Sequence, residues 1–331
     1  MKNNRSTSKC RYGSLYKSGE LKRRAEALNK RLAACDICPR SCGINRFEGN
    51  GGYCRSGKLI SLASHCAHHG EEPALSGTRG SGTIFFNSCN LRCIYCQNSQ
   101  ISQGNDRDEH VDSRGLAEMM LYLQDELRCH NINLVSPTHY VPQIVEALCQ
   151  AVPLGLDIPI VYNTNAYDSV ETISMLDGIV DIYLPDIKYA SNKWARKFSG
   201  ARRYVEHSRL SILEMYRQVG NLVIDDEGVA QRGLIVRHLI LPNRLAGSDE
   251  SLEWLATALS RDVTLSIMAQ YNPCHHAPAE PLLSRRITAG EYREVVDIVN
   301  GLGMDNGWLQ QLDSADHYLP DFHREGHPFS R

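Results

Sequence analysis

From about residue 82 the chain is a succession of short apolar runs, each bounded by turn residues and separated from the next by a helix-patterned stretch. The runs are Thr83 to Phe86, Ile132 to Val135, Ile158 to Tyr162, Ile179 to Leu184, Leu234 to Leu241 and Val263 to Ala269. Short apolar runs alternating with longer helical patterns predict six strands joined by helical crossovers, which makes neighbouring strands parallel. VYNT, DIYLPDIK and GLIVRHLIL are near-continuous in Val, Ile and Leu, as strands buried on both faces must be. The intervening stretches carry helix signals of their own. Leu116, Met119, Met120, Leu123 and Leu127 fall at helical spacing behind Asp112 or Ser113 as N-cap. Pro142 suits a first helical turn, DESLEWLATALS repeats the pattern, and Thr288 with Glu291 makes a capping box. The expected fold is α/β, a partial (β/α)6 TIM-like barrel with a Cys-rich N-terminal extension. An open doubly wound sheet is the alternative. Either architecture puts the working residues at the carboxyl ends of the strands.

Three segments follow from this reading: 1–80, a helix and a Cys-rich metal-binding extension; 81–312, the core domain; and 313–331, a tail rich in Asp, His, Pro and Arg that either lies over the domain or is disordered. Residues 35 to about 80 show little periodicity. The helix in SLYKSGELKRRAEALNKRL places Leu21, Leu28 and Leu32 along it, and its basic residues read as a solvated face. With 36 basic and 38 acidic residues and no long like-charge block, the chain has no electrostatic footprint for nucleic acid. No apolar stretch approaches the ~20 residues of a membrane span. The opening MKNNRSTSKC is polar and basic, unlike a secretory signal, so the expected location is cytoplasmic.

Twelve cysteines are a heavy load for a chain of 331 residues that is long enough to fold without staples. In a reducing compartment, thiols at short spacing point to metal or redox chemistry. Directly after the first strand, GTIFFNSCNLRCIYCQN places Cys89, Cys93 and Cys96 as C-x3-C-x2-C on a loop. Thiolates are the ligands of iron–sulfur clusters, and both a closed four-iron cluster and a structural zinc ion want four ligands. Three, with polar Asn90 and Arg92 between them and Gln97 directly after, leave one metal position open to something else.

This loop resembles the signature of the radical S-adenosylmethionine (SAM) superfamily, C-x3-C-x-aromatic-C, with Tyr95 in the aromatic place. From Ser81 to about Pro273 the chain is similar to the activating enzymes of pyruvate formate-lyase, and most of all to the PflX-like branch. The resemblance implies a 4Fe-4S cluster on Cys89, Cys93 and Cys96 and SAM chelated at the open iron. It also implies reductive cleavage of SAM to methionine and a 5'-deoxyadenosyl radical, which takes hydrogen from a substrate. A flavodoxin- or ferredoxin-type electron donor and a protein or peptide substrate are the partners it implies, with no nucleic acid and no membrane. Where the family has a Gly-Gly-Glu turn for the methionine amino group, INLVSPTH offers Ser136 and Thr138, with no carboxylate, so main-chain acceptors or His139 are left for that group. The family's Asp-Thr-Asn-Gly is YNTNA here, so Asn163 replaces the carboxylate and Asn165 matches. LPDIKY matches the family's Leu-Asp-x-Lys, which places Asp186 and Lys188 on one face near SAM or substrate. Arg237 sits in an apolar strand, where a charge is costly unless paired, and is expected to bind a carboxylate of SAM, of the substrate or of the protein. His238 beside it reads as a satisfied core histidine. Gln270 and Tyr271 are weaker candidates for nucleoside contacts.

Upstream, Cys35, Cys38, Cys42 and Cys54 form C-x2-C-x3-C-x11-C, a sufficient closed set for zinc or for a second, auxiliary iron–sulfur cluster. Cys10, Cys129, Cys149 and Cys274 lie apart. No residue stands out as catalytic in its own right. The functions that fit are a radical SAM oxidoreductase resembling glycyl-radical activating enzymes, a radical SAM enzyme modifying a small molecule or peptide, and a two-cluster electron carrier or sensor.

Overall fold

A computed structural model describes residues 10–49, 51–104, 109–316, 320–324 and 327–329. Its ten strands are β1 (Ile60–His68), β2 (Ser81–Phe86), β3 (Glu109–Val111), β4 (Ile132–Val135), β5 (Ile160–Thr164), β6 (Ile182–Pro185), β7 (Val223–Ile224), β8 (Ala230–Leu239), β9 (Thr264–Met268) and β10 (Gly307–Leu309). One sheet runs in the order β10-β9-β8-β6-β5-β4-β2-β1-β3, with β7 paired to β8 at the side. The six strands read from the sequence are β2, β4, β5, β6, β8 and β9, and each is parallel to the next. Chain order and spatial order coincide along them, so the sheet winds in one direction without the reversal of a doubly wound sheet. It does not close.

Several boundaries shift, among them the start of β8, which lies at Ala230, four residues ahead of Leu234. Ile179 and Val180 are buried in the turn before β6, and β5 continues through Asn163 and Thr164, whose side chains are also buried. The larger correction concerns residues 35–80, where Ile60–His68 are a strand antiparallel to β2, in register from Leu62 opposite Phe86 to His68 opposite Ser81. Its inward residues include Cys66 and His68, which do not count as apolar, and an irregularity between Leu62 and Ser64 breaks the alternation.

Helices Arg11–Lys17 and Glu20–Lys30 precede the sheet. Leu21, Leu28 and Leu32 are fully buried in the same core as the barrel strands. Each such leucine contributes about 2 kcal/mol by removal from water. Tyr12, also buried, donates to the Ile158 carbonyl at 2.9 Å, so the first helix caps the amino end of β5 and leaves the carboxyl ends open. Asp112 caps the helix Ser113–Asp125 and Thr288 with Glu291 forms the capping box of Ala289–Leu302. In the tail, Phe322 and Phe329 pack near Phe85 with ring centres 5.2 and 6.2 Å away. No helix of the described residues is long and apolar enough to cross a membrane.

Candidate active site at the carboxyl ends of the strands

β2 delivers the chain into the cysteine loop, and side chains from elsewhere pin that loop. Asn87 donates to Ser61 Oγ and the Leu62 carbonyl, both at 2.9 Å, and Asn90 donates to the Tyr167 carbonyl at 2.6 Å. The amides of Arg92 and Ile94 bond the carbonyls of Ser199 and Phe198. The three sulfurs meet hydrogen-bonding groups. Cys89 Sγ accepts from the Leu91 amide at 3.3 Å and from Asn165 Nδ2 at 3.4 Å, Ser199 Oγ donates to Cys93 Sγ at 3.0 Å, and Ser102 Oγ lies 3.2 Å from Cys96 Sγ. Burial pushes the Cys89 thiol up to about 12 and Cys93 up to about 11, and raises Cys96 as well. Without a cation these thiols stay protonated, whereas a bound metal core supplies the charge that favours the thiolates. A donor set of three thiols with hydrogen-bonding partners therefore fits an iron–sulfur core. Among the described residues no three His, Cys, Asp or Glu side chains are gathered as ligands of a single ion. Thiolates on one tetrahedral zinc stand only about 3.8 Å apart, whereas cluster ligands each take a different iron.

The loop faces a cleft of about 680 Å³ whose walls include Cys93, Tyr95, Cys96, Asn163, Asp186, Lys188 and Arg237. Arg237 is the hub of its charges. Its Nε donates to Asp186 Oδ1 at 2.7 Å, an Nη to Asn163 Oδ1 at 2.7 Å, and the other Nη lies 3.6 Å from Glu71 Oε2. Lys188 Nζ holds the second Asp186 oxygen at 2.6 Å. Burial works to raise the Asp186 carboxyl, but Arg237 and Lys188 outweigh it and hold it below its ordinary range. For Lys188, burial is likewise outweighed by Asp186, and the ammonium is held charged. The internal acid that Arg237 requires is thus Asp186, which directly follows β6 and pairs as well with Lys188, two residues further on.

Other residues singled out in the sequence lie elsewhere. Thr138 is buried with its hydroxyl on Asp168 Oδ1 at 2.8 Å, beside Tyr162 and Thr164, and is no wall of the cleft. Ser136 is in the left-handed region at φ 57°, its amide on the Asn163 carbonyl. Asn165 supports the cysteine loop through Cys89 and Asn90. His139 gives Nε2 to the Asn87 carbonyl side of that loop at 2.9 Å and lines a different cleft, so it does not face SAM's expected place. His238 is satisfied at both nitrogens, by the Ile187 carbonyl and Ser248 Oγ at 2.8 Å each. Gln270 lines the cleft, while the Tyr271 hydroxyl turns to the Leu283 carbonyl. The four upstream cysteines line one separate cleft.

Glu71 and Glu72 were not singled out from the sequence. They follow β1 and reach the cleft beside Arg237. Burial raises both, Glu72 to about 7. The one signal was two consecutive acids ahead of Pro73 in an otherwise uncharged stretch. Cys274 likewise comes back to the cysteine loop, its thiol 3.4 Å from the Tyr95 carbonyl. A buried carboxyl that ionises only near pH 7 favours the folded state when protonated. Its contribution is therefore greatest below about pH 4.5 and is lost as pH rises through 7. Glu72→Gln is expected to flatten the decline of Tm between pH 5 and 8, leaving the variant more stable than the parent at pH 8 by up to ~3 kcal/mol; parallel Tm–pH curves for the two proteins would place Glu72 in water.

The Radical SAM superfamily description matches residues 83–233. The uncharacterized protein MJ0674 of Methanocaldococcus jannaschii is 30% identical over 279 residues, covering 82% of this chain and 75% of that protein. Among solved structures, the FeFe-hydrogenase maturase HydG from Carboxydothermus hydrogenoformans matches with TM-score 0.45 and 13% identity, over 70% of this chain and 53% of that one. A second HydG structure gives 0.45 at 11% identity, over 67% and 48%. TYW1 with a lysine-pyruvate adduct gives 0.42 at 11% identity, over 70% and 78%. The chain thus spans about half the length of the HydG structures it matches.

Proposed function

This chain belongs to the radical SAM superfamily, and from that premise we propose that it is a hydrogen-abstracting enzyme of the activating type, with Cys89, Cys93 and Cys96 as cluster ligands and SAM in the cleft they face. The observation that carries the reading is the placement of Cys93, Cys96 and the Asp186–Lys188–Arg237–Asn163 network on the walls of one cleft, with Cys89 on the same loop. Held by Cys89, Cys93 and Cys96, the superfamily's cluster would supply the electron that cleaves SAM for hydrogen abstraction. The chain's own residues bind, orient and exclude water. Tyr95, buried with Tyr189 and Tyr271 at ring distances of 6.4 and 5.9 Å, walls the loop against solvent. Lys188 and Arg237 offer cationic donors, already oriented by Asp186, to a carboxylate or ribose, and Asn163 adds an amide. Thr138 is engaged by Asp168, so the methionine amino group falls to main-chain acceptors at the strand ends or to the cleft's carboxylates. Ser136 and Asn165 shape the rim and the loop.

A cleft of about 680 Å³ accommodates a nucleoside-sized molecule and a small second group. That favours a substrate presented as a narrow segment, such as the glycine loop of a protein in the manner of the activating enzymes, with a flavodoxin- or ferredoxin-type protein as electron donor. The buried Glu71 and Glu72 support a second reading, modification of a small cationic molecule, because two acids flank the space that substrate would enter. Partner fractions grown in deuterated medium separate the two. With reductant and SAM, deuterium is expected to appear in deoxyadenosine from a macromolecular fraction; transfer from the small-molecule fraction alone would select the second reading.

A further inference from the structure

We propose that Cys35, Cys38, Cys42 and Cys54 form a second metal centre, a four-thiolate site whose negative charge is neutralised by Arg40 and Arg46. Between Ala34 and Ile60 the described residues contain no helix or strand. The segment instead folds back on itself, with the Cys35 amide on the Ile44 carbonyl and the Gly43 amide on the Cys35 carbonyl, both at 2.9 Å, and the Ser41 amide on the Cys38 carbonyl at 3.0 Å. All four cysteines line one small cleft, shared with Arg40, Arg46 and Tyr53. A loop with so few apolar residues gains order from a metal rather than from a core.

Arg46 points to what fills that cleft. It is 1% exposed, the largest fully buried side chain of the protein. Its Nη atoms donate to the carbonyls of His139 at 2.6 Å and Gly57 at 2.9 Å, but its Nε has no acceptor and no carboxylate pairs with it among the described residues. Arg40 repeats the pattern. Nε and one Nη donate to the carbonyls of Asn90 and Gly200, and the buried Nη2 is unpartnered. A buried guanidinium without a counter-anion costs several kcal/mol, so Arg46, with the half-buried Arg40 beside it stacked 3.6 Å over the Tyr53 ring, calls for an anion among the four thiols. A zinc ion and a four-iron, four-sulfur core each bring two positive charges, and four thiolates leave either complex dianionic. Two guanidiniums balance it. The site also abuts the first cysteine loop, since Arg40 holds the Asn90 carbonyl at 2.9 Å, Arg92 the Tyr53 carbonyl at 3.1 Å, and His139 the Asn87 carbonyl at 2.9 Å. Metal in the second site therefore stiffens the loop that carries Cys89.

The full chain carrying Cys89→Ala, Cys93→Ala and Cys96→Ala isolates the site, and this test is independent of whether the first set binds a cluster. Purified without oxygen, it is expected to retain a stoichiometric metal with an all-sulfur ligand shell by X-ray absorption. Iron with acid-labile sulfide identifies a cluster and supports the four-thiolate centre, whereas zinc without sulfide overturns it, because among the described residues no three such side chains are gathered around a single ion. Adding Cys38→Ser should remove the metal. Should that variant misfold, alkylation of the triple variant answers instead. Cys42 is exposed, and it should resist alkylation until a chelator is added. Arg46→Met should release metal to the chelator at least ~10-fold faster and Arg46→Lys less so, the size typical of groups that support metal ligands. A triple variant without metal, or one whose Cys42 alkylates equally fast with and without chelator, overturns the second centre; unchanged release from Arg46→Met overturns its neutralisation.

Discussion

Cys93→Ala is expected to reduce SAM cleavage to the level of the enzyme-free control, at least ~100-fold below the parent, with methionine and deoxyadenosine falling together. The size of the effect follows from the ligand count. Three thiols leave one iron open, and loss of a second ligand leaves a core that the chain cannot hold. Cys93 is also the most enclosed of the three, 8% exposed and fixed by Ser199 at 3.0 Å. Alanine fills less space but leaves the strands intact, so the variant should fold. Cys149→Ala, on a helix away from the cleft, is the control and should cleave SAM as the parent does. Product counts after anaerobic reduction decide it, and full cleavage by Cys93→Ala removes the triplet from the mechanism.

The largest stability effect is expected from Arg237→Met, about 3–5 kcal/mol, because the change leaves Glu71 a buried acid without its cation and Asp186 with Lys188 alone. In a chain of this size that corresponds to a Tm lower by ~5–8 °C. The pH dependence carries the sign. In the parent, Asp186 is held below its ordinary range, so its pairing stabilises the fold above about pH 3.8 and is lost as pH falls through its lowered value. Without Arg237, burial dominates Glu71, whose pKa rises further, while Asp186 rises but keeps Lys188, and stability falls as pH increases through the Glu71 titration. Arg237→Lys keeps the charge but not the planar fork that reaches Asp186, Asn163 and Glu71 together, and should lie between. A Tm for Arg237→Met equal to the parent's at pH 8 would show that water already solvates the cluster.

The strands were legible because the six parallel ones are continuous apolar runs, but their singly wound order, left open beside a doubly wound one, comes from the pairing of the sheet. β1 was not, because Cys66 and His68 fill inward positions with residues that pattern reading discounts. The same cause hid part of the site. Spacing groups Cys89, Cys93 and Cys96, and the resemblance of LPDIKY to the family motif singles out Asp186 and Lys188. Glu71 meets Arg237 only through the sheet, across more than 160 residues of chain. Thr138 and Asn163 sit on neighbouring strand ends, but one side chain turns to Asp168 and the other to Arg237. The nature of Arg237's partner was deducible from the cost of an unpaired charge; which acid it would be was not.

The proposal that a cluster on Cys89, Cys93 and Cys96 would leave one iron for SAM is the centre of the account. The reduced protein should be mixed with SAM labelled with nitrogen-15 in the amino group and oxygen-17 in the carboxylate, and studied by electron–nuclear double resonance. Hyperfine coupling of both labels to the cluster is the result expected for a three-cysteine core with SAM on its fourth iron, and a reduced cluster that shows coupling to neither label contradicts it.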